Sequence, residues 1–516
     1  MAQRKFREKI TICLALLVSA FAIKPSFAQY TYAVRTDIGF VSGVRGRDVA
    51  ITAFKGIPYA EAPIGNLRWA PPQPARSWQG VLKADHFSDG CEQDFPKGNF
   101  PKSEDCLYLN VWTPAKSAGA NLPVMVWIHG GGLRVGSARE ALYDGEELAK
   151  KGVVIVTLNY RLGAFGFFAH PELTKESPHH ASGNYGLLDQ LAALQWVRRN
   201  IAGFGGDSEK VTIFGQSGGA FSVNAQVASP LSKGLFWAAI AESGGVRMGP
   251  RGAAMPSLED GEEAGVKFAE SVGAHSLGEL RALPAEKLLQ AGEIPVPIVD
   301  GWFFPESMTS LFEGGKQNKV PMLIGSNSDE AQHMLRSALS AKDFVEHAQK
   351  EYGNDLEKFL ALYPSNSNPY AKVSQQLEMA DRTALGERYL ADYVSRSGPK
   401  VFLYYFAYQD VGGYNSETPT LGLQLGADHG AELPYVFGLL NHWKTSVPPE
   451  DLASQNTVMA YWTDFAKTLD PNGAGLPIWK PFSESDSDVM VLDQNVGMEP
   501  HPRASQLSFW QAHTGE

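Results

Sequence analysis

The chain has 516 residues, of which 44% are hydrophobic and 20% charged, and a formal net charge of −11 at pH 7. This is an ordinary globular composition with ample apolar material for a large core. The acidic balance argues against general nucleic-acid binding and against docking on anionic lipid.

The N-terminal stretch predicts a secretory signal rather than part of the fold. Arg4, Lys5, Arg7 and Lys9 form a basic start, and ITICLALLVSAFA over 10–22 is an apolar run too short to span a bilayer as an ordinary transmembrane helix. Ser26-Phe27-Ala28 then offers small residues for cleavage before Gln29, with Ala20-Phe21-Ala22 as a second choice. A membrane anchor is the competing reading. No later stretch is long and apolar enough to span, so no stable membrane anchor is expected. Losing residues 1–28 removes five basic residues and one acidic one, which moves the net charge from −11 to −15. Of three cysteines, Cys13 leaves with the signal. Cys91 and Cys106 remain as an even pair in an exported chain and read as a disulfide, worth roughly 3 kcal/mol in the chain-entropy model. A metal pair, the other reading, lacks further Cys or a paired His nearby. No N-x-S/T sequon follows the signal, which leans towards a bacterial source and a periplasmic or secreted location.

Further along, strand-like and helix-like stretches alternate. LPVMVWIH (122–129) and VVIVTLNY (153–160) are continuous apolar runs, the pattern of strands covered on both faces. GNYGLLDQLAALQWVRRNI (183–201) carries Leu187, Leu191, Leu194 and Ile201 near helical spacing. VTIF (211–214) predicts the next strand, GGAFSVNAQVA a helix after it, and VPMLIGS (320–326) and KVFLYYFAY (400–408) two later strands. Roughly 340–395 is charged and mostly helical, and reads as an insertion over one end of the sheet. Strands alternating with helices imply an α/β fold with a largely parallel sheet. No low-complexity linker, charge block or repeat period divides the chain.

Within KVTIFGQSGGAF (210–221) one hydroxyl, that of Ser217, sits among Gly215, Gly218 and Gly219. The fit to G-x-S-x-G is weak alone, but its place between a strand and a helix is that of a nucleophile elbow. The bend is so tight that flanking side chains would collide with backbone, and glycine removes them. A serine hydroxyl also needs a base, an orienting acid and donors for an oxyanion. His129-Gly130-Gly131-Gly132 directly follows the run 122–129, and successive glycines leave backbone N–H groups open to a substrate oxygen. A structural glycine turn is the competing reading.

Several motifs then make a resemblance specific. They are FKGIPYAEAP (54–63), LRW (67–69), EDCLYLNVW (104–112), WIHGGG (127–132), NYRLGAFGF (159–167), GNYGLLDQ (183–190), FGGD (204–207), GQSGG (215–219), NSDEA (327–331) and GADHGAELPYVFG (426–438). In this order and over most of the mature chain, the sequence resembles the type-B carboxylesterase (cholinesterase-like) family. The resemblance implies an α/β-hydrolase fold, with residues 29–516 as a single domain. It also implies a catalytic triad of Ser217, Glu330 and His429. Glu330 matches the glutamate of the family's D-E-G motif, although Ala331 replaces the glycine and leaves Asp329 as a fallback. The order Ser217, Glu330, His429 is also the one expected independently for this fold. The oxyanion donors are then the N–H groups of Gly131, Gly132 and Gly218. Ser243, in AESGG, matches a family serine near the triad, in either a supporting or a packing role. Arg68 is expected to pair with Glu104, and Arg161 with Asp189, as architecture. The implied reaction is hydrolysis of a small-molecule ester through an acyl-enzyme, with no metal or organic cofactor.

The chain also departs from the family. The loop EQDFPKGNFPKSED (92–105) carries no tryptophan, so a cation–π site for choline-like alcohols is unsupported. Gln216 stands where the family usually has glutamate, and Leu133-Arg134 where it usually has an aromatic. One change removes a negative charge beside the serine and the other adds a positive charge near the oxyanion loop. These point to Arg134 and Gln216 as substrate-binding residues for esters carrying a carboxylate, such as tricarballylate-bearing mycotoxins, with Arg247 as a further contact. Arg134 turned outward is the alternative. Competing functions are amide or thioester hydrolysis with the same triad, and a non-catalytic cholinesterase-like binding protein. Nothing in the sequence assigns an oligomeric state.

Overall fold

The computed structural model describes residues 33–94, 100–246, 255–292, 294, 297–331, 337–408, 426–443, 446–485 and 488–513. The signal reading on residues 1–28 and the candidate contact Arg247 lie outside the described residues.

Among the described residues, eleven strands form one sheet: β1 (Val44–Arg45), β2 (Thr52–Pro58), β3 (Tyr108–Thr113), β4 (Leu122–Ile128), β5 (Val154–Leu158), β6 (Gly206–Gln216), β7 (Ala238–Glu242), β8 (Met322–Asn327), β9 (Val401–Phe406), β10 (Asp488–Leu492) and β11 (Gly497–Pro500). Their spatial order is β11-β10-β9-β8-β7-β6-β4-β5-β3-β2-β1. From β10 across to β5 every neighbouring pair is parallel, and the outer pairs are antiparallel.

The apolar runs become strands because both faces of the sheet are covered. Along β4, Val124, Val126 and Ile128 enter one core, and Met125 and Trp127 enter the other. In β6, Val211 and Ile213 face the first core and Phe214 the second. A period of two with both sets apolar is the pattern of a strand between two helical layers. One layer includes α1 (Tyr185–Asn200) and α2 (Gly218–Ala228). The stretch 340–395 forms α3 (Ala341–Tyr352), α4 (Leu356–Leu362) and the long α5 (Asn368–Arg396), whose buried Leu385, Leu390 and Val394 join the first core. On the other side, α6 (Pro449–Thr468) buries Trp462 and Phe465 in the second core.

Two ion pairs, one buried (Arg161–Asp189) and one partly buried (Arg68–Glu104), tie loops to this frame. Arg161 Nε and Nη2 each donate to Asp189 at 2.7 Å, and Arg68 holds Glu104 through Nε at 2.7 Å and a second contact from Nη2. Both carboxylates are gripped at two points, so each pair fixes an orientation as well as a contact. Cys91 and Cys106 are joined in a disulfide, with Cα atoms 5.0 Å apart.

The strand order reverses at β4, since the chain leaves it for β5 on one side and returns as β6 on the other. In open α/β sheets such a reversal leaves a crevice beyond the C-terminal strand ends, where ligands bind. The residues following β4 and β6 are the glycine run 130–132 and Ser217.

Candidate active site

Ser217 sits between the end of β6 and the first turn of α2 with φ 58° and ψ −123°, a conformation costly for a side chain with a Cβ. Its surroundings hold it there. Ser217 N donates to Glu242 O at 2.9 Å, and Ser217 O accepts from Phe221 N at 2.9 Å. The bend also needs bare neighbours: a Cβ on Gly219 would lie 2.1 Å from Ile128 O, the last residue of β4.

The glycine run approaches the same turn. A Cβ on Gly218 would come within 2.7 Å of Gly132 N, so the two backbones touch where Ser217 is presented. The N–H groups of Gly131, Gly132 and Gly218 donate to no protein acceptor among the described residues. Arg134 lies on this loop, partly buried, with its own N–H donating to Gly131 O at 3.1 Å.

Glu330 and His429 come from two segments paired to each other. Asp329 N donates to Ala427 O at 2.9 Å, Ala427 N donates to Ser328 Oγ at 2.7 Å, and Asn327 Nδ2 donates to Asp428 O at 2.7 Å. This places Glu330 Oε2 2.5 Å from His429 Nδ1, while Glu330 Oε1 accepts from Asn327 N at 2.6 Å. Glu330, not the fallback Asp329, therefore meets the imidazole. The other ring nitrogen, His429 Nε2, lies 3.1 Å from Gln216 Nε2. Ser217 Oγ itself makes no hydrogen bond among the described residues. Ser243 is buried with φ 57°, and its hydroxyl makes no hydrogen bond among the described residues.

Three more carboxyl groups stand behind this contact. Glu242, Glu387 and Glu432 are each no more than 1% exposed, and among the described residues none has a lysine or arginine partner. Their hydrogen bonds are neutral: Trp462 Nε1 to Glu242 at 2.9 Å, Gly244 N to Glu387 at 2.9 Å, and Asn327 Nδ2 to Glu432 at 2.5 Å. Burial without a cation favours the protonated acid. Desolvation, then the charge of Glu432, pushes Glu242 well up, and desolvation, then the charge of Glu330, does the same to Glu387. Glu432 is pushed up to about 7 by desolvation and then by Glu330. For His429 burial alone would lower the pKa. Glu330, followed by Glu432 and Asp428, outweighs it and leaves the imidazole above its ordinary value. His129 goes the other way, lowered to about 4 by burial, so it stays neutral beside the glycine run.

Sequence reasoning missed this acid cluster. Glu432 was in view within GADHGAELPYVFG, and Glu242 closes a buried apolar run next to Ser243. Glu387, on the buried face of a long helix, gave no signal. Among the described residues no group of three or more His, Cys, Asp or Glu is arranged to hold a metal ion.

A mostly parallel sheet with helices on both faces, and a serine raised on a strand-to-helix bend at its topological switch, defines an α/β-hydrolase. The carboxylesterase family profile matches residues 31–510. The chain is 33% identical to fumonisin B1 esterase of Sphingopyxis macrogoltabida, over 94% of this chain and 89% of that protein. It is 35% identical to cocaine esterase of Homo sapiens (92% and 89%) and 35% identical to carboxylesterase 5A of Felis catus (97% and 97%). The chain belongs to the carboxylesterase family and is a carboxylic ester hydrolase.

Proposed function

We propose that the protein is an exported serine carboxylesterase in which Ser217 is the nucleophile, His429 the general base and Glu330 the acid that orients it. The observation that carries this reading is the 2.5 Å contact between Glu330 and His429. A carboxylate on Nδ1 fixes the tautomer whose Nε2 carries the lone pair that takes a proton.

His429 Nε2 removes the Ser217 proton as Oγ attacks the ester carbonyl. The N–H groups of Gly131, Gly132 and Gly218 hold the tetrahedral oxyanion. The imidazolium returns its proton to the leaving alcohol, and Glu330 stabilises the charge between the two transfers. Water, activated by the same imidazole, then releases the acid from Ser217. Ser217 Oγ makes no hydrogen bond to His429 at rest, so that contact forms on the way into the reaction.

The preferred substrates are esters bearing a free carboxylate, such as tricarballylate esters. Two features support this: a cationic Arg134 on the oxyanion loop, and an uncharged residue, Gln216, beside the nucleophile. The likeness to a fumonisin B1 esterase makes fumonisin-type esters the first class to test. The test is hydrolysis of matched ester pairs, one neutral and one carrying a carboxylate, with Ser217→Ala as the blank. Higher kcat/KM for the anionic member and no turnover in the blank are expected. Equal or better hydrolysis of the neutral member would remove the anionic preference, and turnover by Ser217→Ala would remove the nucleophile.

A further inference from the structure

Gln216 ends β6, is 5% exposed, and turns its amide to His429 Nε2 at 3.1 Å. That is the imidazole atom a general base must offer to Ser217. The opposite nitrogen, Nδ1, faces the Glu330 carboxylate, which can only accept, so the ring proton sits on Nδ1. Nε2 then carries a lone pair, and the amide NH2 of Gln216 is the donor that meets it. Since Ser217 Oγ makes no hydrogen bond among the described residues, the amide rather than the hydroxyl meets the base there. Turned end for end, the same carboxamide presents Oε1, an acceptor, to the same atom. It can therefore hold the ring neutral or protonated. A carboxylate in its place could hold only the protonated ring.

We propose that Gln216 is a positioning residue for His429, whose amide donates to Nε2 of the neutral imidazole and holds it without adding a charge that favours protonation, in surroundings otherwise made of carboxyl groups. The ionisable groups facing the ring are Glu330 from the loop after β8, and Asp428 and Glu432 from its own segment. Glu242 on β7 and Glu387 on α5 stand behind them. Each favours the imidazolium when charged, whereas Gln216 bonds the ring without adding charge. The inference rests on the serine-esterase reading above.

Two variants test it. Gln216→Glu sets an acceptor-only anion against Nε2. The acid limb of its kcat/KM profile is expected to move up by about one pH unit or more, which is a tenfold or greater loss at the low-pH end relative to its own plateau. With a neutral ester as substrate, KM on the plateau stays near that of the parent. Gln216→Met keeps the size and neutrality but removes the donor. The 15N resonance of His429 Nε2, recorded above the acid limb and assigned by its loss in His429→Gln, is expected to move downfield as its hydrogen bond disappears. An unmoved acid limb in Gln216→Glu, an unmoved 15N signal in Gln216→Met, or a change confined to KM would each overturn the proposal. The 15N readout needs no turnover. If Ser217→Ala still hydrolysed esters, the serine-esterase reading would fail while the Gln216–His429 contact was still measured.

Discussion

Glu330 and His429 lie 99 residues apart, yet their side chains meet at 2.5 Å because the residue before each, Asp329 and Asp428, is paired across the ends of two loops. The orientation of the imidazole is thus written into backbone hydrogen bonds. Replacing Glu330 by Gln keeps the shape and changes what Nδ1 meets. By analogy with loss of charge at the acid of serine-protease triads, kcat is expected to fall by about three to four orders of magnitude with KM little changed. A fall of less than tenfold in folded protein would contradict the assigned role.

The base must be neutral to accept the Ser217 proton, so any group that raises the His429 pKa moves the acid limb upward. Burial opposes that shift, but Glu330, Glu432 and Asp428 outweigh it. The acid limb of kcat/KM is therefore expected above the ordinary imidazole value of about 6.5. Glu432→Gln removes one of the contributing charges and should move the limb down. A pH–rate profile of the two proteins checks both statements.

Glu432 also links folding to pH. Its pKa rises from 4.5 when unfolded to about 7 in the fold, so the folded state binds its proton more tightly. That contribution is fully present below about 4.5, is lost as pH climbs through about 7, and leaves the protein less stable above. Thermal melts should show Glu432→Gln gaining on the parent between pH 5 and pH 8. A constant difference across that range would contradict the shift.

Gly219 has no room for a side chain, because a Cβ would meet the carbonyl oxygen of Ile128 at 2.1 Å. The obstacle is backbone of the central strand β4, which no rotamer change relieves. Gly219→Ala is expected to destabilise by at least about 1–3 kcal/mol and to lose activity by displacing Ser217. Denaturant unfolding and a neutral-ester assay read the two effects separately.

Arg134 is the proposed partner of a substrate carboxylate. A charge-assisted hydrogen bond contributes about 1.5–3 kcal/mol. Arg134→Ala should therefore lower kcat/KM for a carboxylate-bearing ester by about tenfold or more and leave the neutral member of the pair nearly unchanged. Equal losses on both would show that Arg134 shapes the oxyanion loop instead.

Much of the central sheet was legible because its strands are continuous apolar runs, and α2 begins and ends where GGAFSVNAQVA does. The β7 strand was not. AAIAE is rich in alanine, a helix former, and becomes a strand only because β6 and β8 flank it and bury it on both faces. The antiparallel strands β2 and β3 were visible as motifs but not as strands, since pairing across some 50 residues leaves no local mark. At the site, the strand–glycine–helix setting singled out Ser217, the family resemblance singled out Glu330 and His429, and the structure brings the latter two into contact. Gln216 stood out only as an uncharged neighbour. Its contact with His429 Nε2 depends on side-chain torsions and on a loop more than 200 residues away, which sequence spacing does not encode. The acids Glu242 and Glu387 escaped for the same reason, reaching the cluster from a strand end and a helix face.

The central claim is that Ser217 is the atom acylated in turnover. The most direct measurement is mass spectrometry of the protein inactivated by a p-nitrophenyl phosphonate, which leaves a stable group on a reactive serine. One adduct per chain is expected, carried on Ser217, formed in step with loss of esterase activity and absent in Ser217→Ala. Full inactivation with the adduct on another residue, or no adduct while activity is lost, would contradict it.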